Sequence, residues 1–346
     1  MKLREIGEFG LIERIQKSAS KGRGVVLGIG DDAAWVRSKR APLLFTSDLL
    51  IEGVHFDLKW TSFYELGYKT LSVNLSDLAA MGGMPDYLVI SLGIPIDFKV
   101  EDIEEFYRGI RQLALHSGVS LVGGDTSSAN RFFISAFLVG HAPYGPVTRG
   151  GAKVGDDLYV TGTLGDSSLG LDLLRRSKGR LTRGEVAYLT SRHRLPTARL
   201  RAGTILAKEK LARAMIDVSD GLIQDLTHLC KASGTGAVIW HEALPLSRPY
   251  RRFTGGKRSR YSLTGGEDYE LLFSLRTRDR ARLQKIRKRL DVPVTHIGRC
   301  VPARQGITVV NGKGTPLPLP QKGYDHFKFK SRLLPSNAMI RHSTQA

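Results

Sequence analysis

The chain has 346 residues, 41% hydrophobic and 25% charged, which is too long for one ordinary core and normal for a globular protein. No apolar run approaches the ~20 residues that span a bilayer, and residues 1–10 are too polar for a signal peptide. Only Cys230 and Cys300 occur, which excludes a disulfide framework or a zinc site of cysteine spacing and leads us to expect a reducing cytoplasm.

Strand character, rich in Val, Ile, Leu and Phe and closed by Gly, Asp or Ser, first appears at 42–48 (PLLFTSD). Next, 71–81 (LSVNLSDLAAM) runs apolar residues into Ser-Asp and then into a helix-like stretch. A strand at 87–94 precedes an amphipathic helix at 101–118, which sets Ile103, Phe106, Ile110, Leu113 and Ala114 on one face and ends at Gly118 as a C-cap. Strands follow at 119–125 and 132–140, and the Gly- and Pro-rich stretch 141–157 reads as a domain boundary. Beyond it come a strand at 157–162, helices at 165–177 and 196–214 (Pro196 in the first turn) and strands at 214–220 and 269–275. Residues 276–290 read as a surface helix with Leu283, Ile286 and Leu290 as its apolar stripe. This mixture predicts an α/β (α+β) protein of two domains, 1–145 and 146–328, with a basic, disordered tail at 329–346.

Lys and Arg number 52 against 33 Asp and Glu, leaving a formal charge of +19 that attracts polyanions. The cations bunch at 175–185, 251–261, 276–290 and 328–341 with few interleaved aromatics, so solvated surface is the expected reading and nucleic acid is not an expected partner.

Within this basic chain, aspartates stand at strand ends and helix starts beside small residues: Asp31 and Asp32 (GIGDDAA), Asp48 (FTSDLL), Asp77 (NLSDLA), Asp125 (LVGGDT), Asp217 and Asp220 (IDVSDGL), and Glu267 with Asp268 (GGEDYE). Singly, each reads as a turn or a helix N-cap. Together they suit a hard cation such as Mg²⁺, which one or two carboxylates hold alongside substrate phosphates. Converging carboxylates need such cations, because like charges disfavour joint ionisation. Arg149 can clamp a phosphate, and the Gly123-Gly124-Asp125 segment, read as a turn, can offer it backbone N–H groups. No P-loop, H-E-x-x-H or kinase H-R-D and D-F-G set is present.

The ordered set GEFGLI (7–12), GIGDDAA (28–34), TSDLLIEGVHF (46–56), SVNLSDLAAMGG (72–83), GGDT (123–126), RGGAKVGD (149–156), VTGTLGDSSLGL (160–171), RHRLPTAR (192–199), IDVSDGL (216–222), GGEDYELLF (265–273) and KGYDHF (322–327) resembles the thiamine-monophosphate kinase family over residues 4–327. The resemblance implies the aminoimidazole-ribonucleotide-synthetase-like (PurM-like) fold, with an N-terminal domain that forms a dimeric β-barrel with its copy and a C-terminal α/β domain. It implies ATP and several Mg²⁺ ions in the interdomain cleft and thiamine monophosphate as acceptor, converted to thiamine diphosphate in the last step of its biosynthesis. Residue by residue, it implies magnesium ligation by Asp32, Ser47, Asp48, Asp77, Asp125, Asp217 and Asp220. ATP contacts would come from Tyr107, Gly124, Asp125, Arg149 and Ser219, and thiamine phosphate contacts from His55, Glu267 and Tyr324. Asp31 and Asp268 are left without a role.

The acceptor is a phosphate oxygen already ionised near neutrality, so neither a general base nor a protein nucleophile is expected; direct in-line transfer is. The rivals are an aminoimidazole-ribonucleotide-synthetase-like enzyme, which GEFGLI and GGEDYELLF oppose, and selenophosphate synthetase, which would carry a reactive cysteine before Cys230. A catalytically inactive basic binding protein is the rival from another class, and retention of all these aspartates opposes it.

Overall fold

The computed structural model describes residues 14–15, 17–18, 25–27, 35–36, 41–175, 181–255 and 260–318. Asp31, Asp32, Tyr324 and the tail lie outside them. A short antiparallel pair, β1 (Val25–Leu27) and β2 (Trp35–Val36), precedes a first sheet of four strands. These are β3 (Leu43–Ile51), β4 (Met84–Ile94), β5 (Ser120–Ser128) and β6 (Phe133–His141), in the order β3-β6-β4-β5. Among neighbouring strands only β4 and β5 pair in parallel, and they are joined by a crossover helix, α2 (Val100–Ser117). That helix ends as its sequence predicts, at Gly118 in the left-handed conformation (φ 76°).

Alternation gives the sheet two different faces. Leu44, Leu50, Leu88, Ile90, Leu92, Ile134 and Leu138 pack beneath α2 and α1 (Phe63–Ala80), against Leu71, Leu75, Ile103, Phe106 and Ile110. The other face leaves Leu43, Phe45, Leu49, Phe133 and Phe137 exposed. Among the described residues this sheet forms no closed barrel.

Helix α1 starts earlier than the sequence reading has it. A capping box made by Ser62 and Glu65 opens it, so Ser76 and Asp77 lie in its last turns rather than ahead of it. Its periodicity is faint because it is buried nearly all round, including Lys69, Thr70, Ser72 and Asn74. Close approach to α2 explains two glycines: a Cβ on Gly67 would overlap the Phe106 carbonyl, and one on Gly109 the Tyr64 carbonyl.

The second sheet has seven strands: β7 (Asp157–Thr161), β8 (Ala212–Asp217), β9 (Thr235–Trp240), β10 (Leu271–Leu275), β11 (Val294–Pro302), β12 (Ile307–Val310) and β13 (Pro316–Leu317). Their order is β13-β12-β9-β11-β7-β10-β8, and only β9 and β12 run parallel. The remaining helices are α3 (Asp166–Arg175), α4 (Arg183–Arg194), α5 (Leu200–Lys208), α6 (Leu222–Ser233), α7 (Arg248–Thr254), α8 (Arg260–Thr264) and α9 (Arg280–Ile286). One face of the sheet packs on Leu222, Leu226 and Leu229 of α6. The other packs on Leu206 of α5, Leu283 and Ile286 of α9, Leu290, and Ala79 and Ala80 of α1. Central strands β7 and β10 are therefore buried on both sides, which is why they read as continuous apolar runs.

Two helix expectations change. The stretch 196–214 breaks: Lys210 takes a left-handed turn (φ 52°), α5 covers only Leu200–Lys208, and β8 begins at Ala212. The stretch 276–290 is α9 flanked by 3₁₀ turns, still burying Leu283, Ile286 and Leu290.

Helix α1 thus belongs to both units. Ser72 Oγ donates to the Pro196 carbonyl at 2.6 Å, and Thr204 Oγ1 to that of Gly83 at 3.2 Å. A Cβ on Gly203 would overlap the Ala79 carbonyl, so α5 lies directly on α1. We expect Gly67→Ala and Gly109→Ala each to destabilise the protein by about 1–3 kcal/mol, read as a lower urea midpoint at unchanged slope, because a backbone carbonyl cannot yield as a side chain does. Gly118→Ala tests a different cost: space is open there, so only the positive φ opposes it.

Candidate active site

Three carboxylates meet where α1 joins the two units. The alternation of β3 turns Thr46 and Asp48 toward α1 and places Ser47 on the outer face with Phe45 and Leu49. Thr46 Oγ1 donates to Asp77 Oδ2 on α1. One residue earlier on α1, Ser76 Oγ donates at 2.7 Å to Oδ2 of Asp217, the last residue of β8.

Burial, and after it the charge of Asp77, push the Asp48 carboxyl up to about 7. Burial, with Asp77 and Asp48 adding to it and the Ser76 hydroxyl and the Arg149 cation opposing it, pushes Asp217 up to about 7. Asp77 is raised by burial against the opposing effects of Thr46 and Arg149. Asp48, Asp77, Asp217 and Arg149 therefore share one electrostatic neighbourhood.

The turn after β8 extends it. Asp225, on α6 and 2% exposed, accepts from the Asp220 and Gly221 amides at 3.1 Å each. It does for this helix what a capping side chain does, since Gly221 has none. Burial raises Asp225 well above the ordinary carboxylate range, and Asp217 and Asp220 raise it further. The amide of Glu267 donates to the Ser219 carbonyl at 2.7 Å, and that of Tyr269 to Val218 at 2.9 Å, so 267–269 runs alongside the turn. Glu267 and Tyr269 both adopt left-handed φ, 66° and 52°, uncommon for residues other than glycine. Tyr269 is buried among the charges of Glu267, Asp48, Asp217 and Asp77, which with burial hold its phenol protonated.

The other candidates are placed as follows. Gly124 and Asp125 lie within edge strand β5, not in a turn; a Cβ on Gly124 would overlap the Ile90 carbonyl, and Asp125 is exposed. Nδ1 of His55 accepts from the Ile51 amide at 3.0 Å, closing the turn after β3. Tyr107 lies in the first core, edge-on to Phe106 and only 4% exposed, and offers little surface to a nucleotide. Asp268, left without a role by the sequence, accepts from the Gly165 and Ser167 amides at 2.6 and 3.1 Å and caps α3. Thr46, Ser76, Asp225 and Tyr269 escape the sequence reading. The first two lie beside Asp48 and Asp77 in quoted motifs, but nothing in the chain shows whose carboxylate a hydroxyl meets.

Among the described residues no three His, Cys, Asp or Glu side chains form a ready-made metal cage. The donors nevertheless fit Mg²⁺: they are hard oxygens, they repel one another, and that ion takes only one or two carboxylates when phosphates and water complete its shell.

Two family models match the chain: AIR synthase related protein, N-terminal domain, over residues 30–142, and the corresponding C-terminal domain over 153–311. Thiamine-monophosphate kinase of Aquifex aeolicus (strain VF5) is 40% identical over 330 residues, covering 94% of this chain and all of that protein. The chain belongs to the thiamine-monophosphate kinase family of AIR synthase related proteins. A crystal structure of thiamine-monophosphate kinase from Stenotrophomonas maltophilia K279a superposes with a TM-score of 0.79 at 36% identity, covering 88% of this chain and 96% of that one. AaThiL complexed with AMPPCP and TMP superposes with a TM-score of 0.73 at 38% identity, covering 94% and 99%.

For this family member the carboxylates carry a stability cost. A carboxyl raised in the folded state binds more protons there than when unfolded, so stability falls as pH climbs from about 4 to about 7. Asp48→Asn is expected to unfold several degrees above the parent at pH 8 in EDTA, with the gap shrinking at pH 5. Equal midpoints at both pH values would show that Asp48 is not strained.

Proposed function

We propose that the protein transfers the γ-phosphoryl group of ATP to the phosphate of thiamine monophosphate, giving thiamine diphosphate and ADP. The observation that carries this reading is the convergence of Asp48, Asp77 and Asp217 at the seam of a chain 40% identical to a thiamine-monophosphate kinase over 94% of its length. The family complex with AMPPCP and TMP supports both substrates.

The chemical difficulty is to bring two polyanions together. Bound Mg²⁺ supplies the positive charge that offsets their repulsion and the charge developed in transfer. We assign it to Asp48, Asp77 and Asp217, and assign Ser47, Asp125, Asp220 and Asp32 as further ligands of the ion group on the family resemblance alone. Arg149, exposed at the neck between the units, is assigned to ATP phosphate, as are Gly124, Asp125 and Ser219. His55, Glu267 and Tyr324 are assigned to thiamine monophosphate. No side chain is needed as base or nucleophile, since the acceptor oxygen is already anionic. Holding the two phosphates in line is the protein's contribution.

We assign the exposed sheet face to a homodimer in which two such sheets close the expected barrel. Phe45 is 61% exposed and stacks on Phe137 at 6.0 Å, and Leu43, Leu49 and Phe133 extend the patch across β3 and β6. Aromatic and aliphatic side chains held rigidly on strands suit the centre of a permanent interface.

Purified protein with Mg-ATP and thiamine monophosphate is expected to form thiamine diphosphate, whereas Asp77→Asn, folded by circular dichroism, loses at least about 10³-fold in kcat. Full turnover by Asp77→Asn removes the metal assignment. Light scattering checks the dimer: Phe45→Lys with Phe137→Lys should halve the particle mass, and an unchanged mass excludes this face.

A further inference from the structure

The segment 192–199 (RHRLPTAR) has no role in the reading above, yet it touches both units. Arg192 and Arg199 converge on Glu270, whose side chain is fully buried; Arg192 reaches Oε1 at 2.8 Å and Arg199 Nε reaches Oε2 at 2.7 Å. Arg194 pairs with Glu65 of α1 at 3.0 Å, and Pro196 accepts from Ser72 of α1. Between these anchors, Nδ1 of His193 lies 3.0 Å from Glu267 Oε2. The other oxygen of Glu267 lies 2.8 Å from Nζ of Lys69, which reaches it from α1. The Lys69 and His193 side chains are 2% and 4% exposed, whereas that of Glu267 is 25% exposed.

A buried lysine survives as a cation only beside a fixed anion, so Lys69 and Glu267 require each other across the seam. Burial, and then the nearby Lys69 charge, lower the His193 pKa, which keeps the ring neutral. An ionised carboxylate only accepts, so Nδ1 of His193 carries the hydrogen. Ser167 Oγ, at the start of α3, lies 3.2 Å from the same nitrogen. Glu267 is held well below the ordinary carboxylate range because Lys69 and His193 outweigh its burial. With one described partner on each oxygen the carboxylate keeps further lone pairs, a quarter of its side chain is exposed, and it acts on Tyr269 together with Asp48, Asp77 and Asp217.

We propose that Lys69, from the first unit, and His193, from the second, are positioning residues that fix Glu267 as a charge-balanced hydrogen-bond acceptor for the amino-substituted ring of thiamine monophosphate. The inference rests on the kinase reading and on the assignment of Glu267 to that substrate. Because Lys69 already balances the charge, Glu267 works by direction rather than as a bare counter-ion. The ion pair also makes the pocket depend on correct seating of the two units, since neither supplies the whole arrangement.

The test is steady-state kinetics of the parent, Lys69→Met, His193→Ala and His193→Asn, varying each substrate in turn. Lys69→Met and His193→Ala should raise KM for thiamine monophosphate about tenfold or more, with kcat and KM for ATP within about twofold. His193→Asn, whose amide nitrogen replaces Nδ1–H, should recover to within about threefold of the parent. The groups that act on Glu267 and its partners are Lys69 on α1, His193 on α4, Arg175 on α3 and Tyr269 on its own segment. Without Lys69 the carboxylate should titrate in the working range. The ratio of kcat/KM for thiamine monophosphate, Lys69→Met over parent, should then fall further on acidification from pH 8 to pH 6. A flat ratio, equal KM changes for both substrates, or His193→Asn no better than His193→Ala would overturn the proposal. If Lys69→Met does not fold, the two His193 variants decide it. A parent that forms no thiamine diphosphate removes the kinase reading and this inference with it; an active parent whose variants bind normally removes the inference alone.

Discussion

Like-charge repulsion between buried carboxylates is the constraint on which this structure depends. Asp48, Asp77 and Asp217 arrive from a strand, a helix and a second sheet; burial makes all three harder to ionise, and the charge of Asp77 adds to this for Asp48 and Asp217. A fold selected for stability alone would separate them or replace them. The protein instead spends rigid parts on keeping them together: hydroxyls from Thr46 and Ser76 hold two of the three, and Arg149 opposes part of their charge. Cations would relieve this repulsion, which is the basis of the proposed metal assignment.

Helix α1 makes this possible. It lies in the core of the first unit at Leu71 and Leu75 and in the core of the second at Ala79 and Ala80. A helix that faced solvent on one side could not hold Lys69, Ser76 and Asp77 against the second unit. Most of its buried polar groups are bonded, Thr70 to Leu66, Asn74 Nδ2 to Thr70 and Ser72 to Pro196, while Asn74 Oδ1 meets no partner among the described residues. The segment 267–270 plays the matching part from the other side. Four successive residues point to four anchors: Glu267 to Lys69 and His193, Asp268 to the start of α3, Tyr269 to the carboxylates and Glu270 to two arginines. The left-handed backbone at Glu267 and Tyr269 is the conformational cost of aiming them apart.

The charge excess looks different once pairs are traced. Arg280 pairs with Asp157, Arg282 with Asp279 and Arg289 with Glu209, so the basic stretch 276–290 is partly neutralised by local acids. Its Leu283, Ile286 and Leu290 lie against the second sheet as their spacing requires. Of these, Arg289–Glu209 is open on both sides and contributes little to stability, whereas Asp157 is buried and bound by Arg280 through two nitrogens.

Residue order along the chain was enough to establish the mixed fold, the strands that carry Asp48 and Asp217, the amphipathic helix ending at Gly118, and the membership of Asp48, Asp77 and Asp217 in one chemical class, because strand alternation, caps and small-residue flanks are local properties. The helix that holds Asp77 was misplaced because burial on all sides erases the periodicity that marks a helix, and 196–214 ran on because a left-handed turn at Lys210 leaves no compositional trace. Which hydroxyl meets which carboxylate, why Lys69 can be buried and what Asp268 does were decided only by tertiary structure. Those facts are distances between residues 31 to 198 positions apart, and a linear pattern contains no term for them.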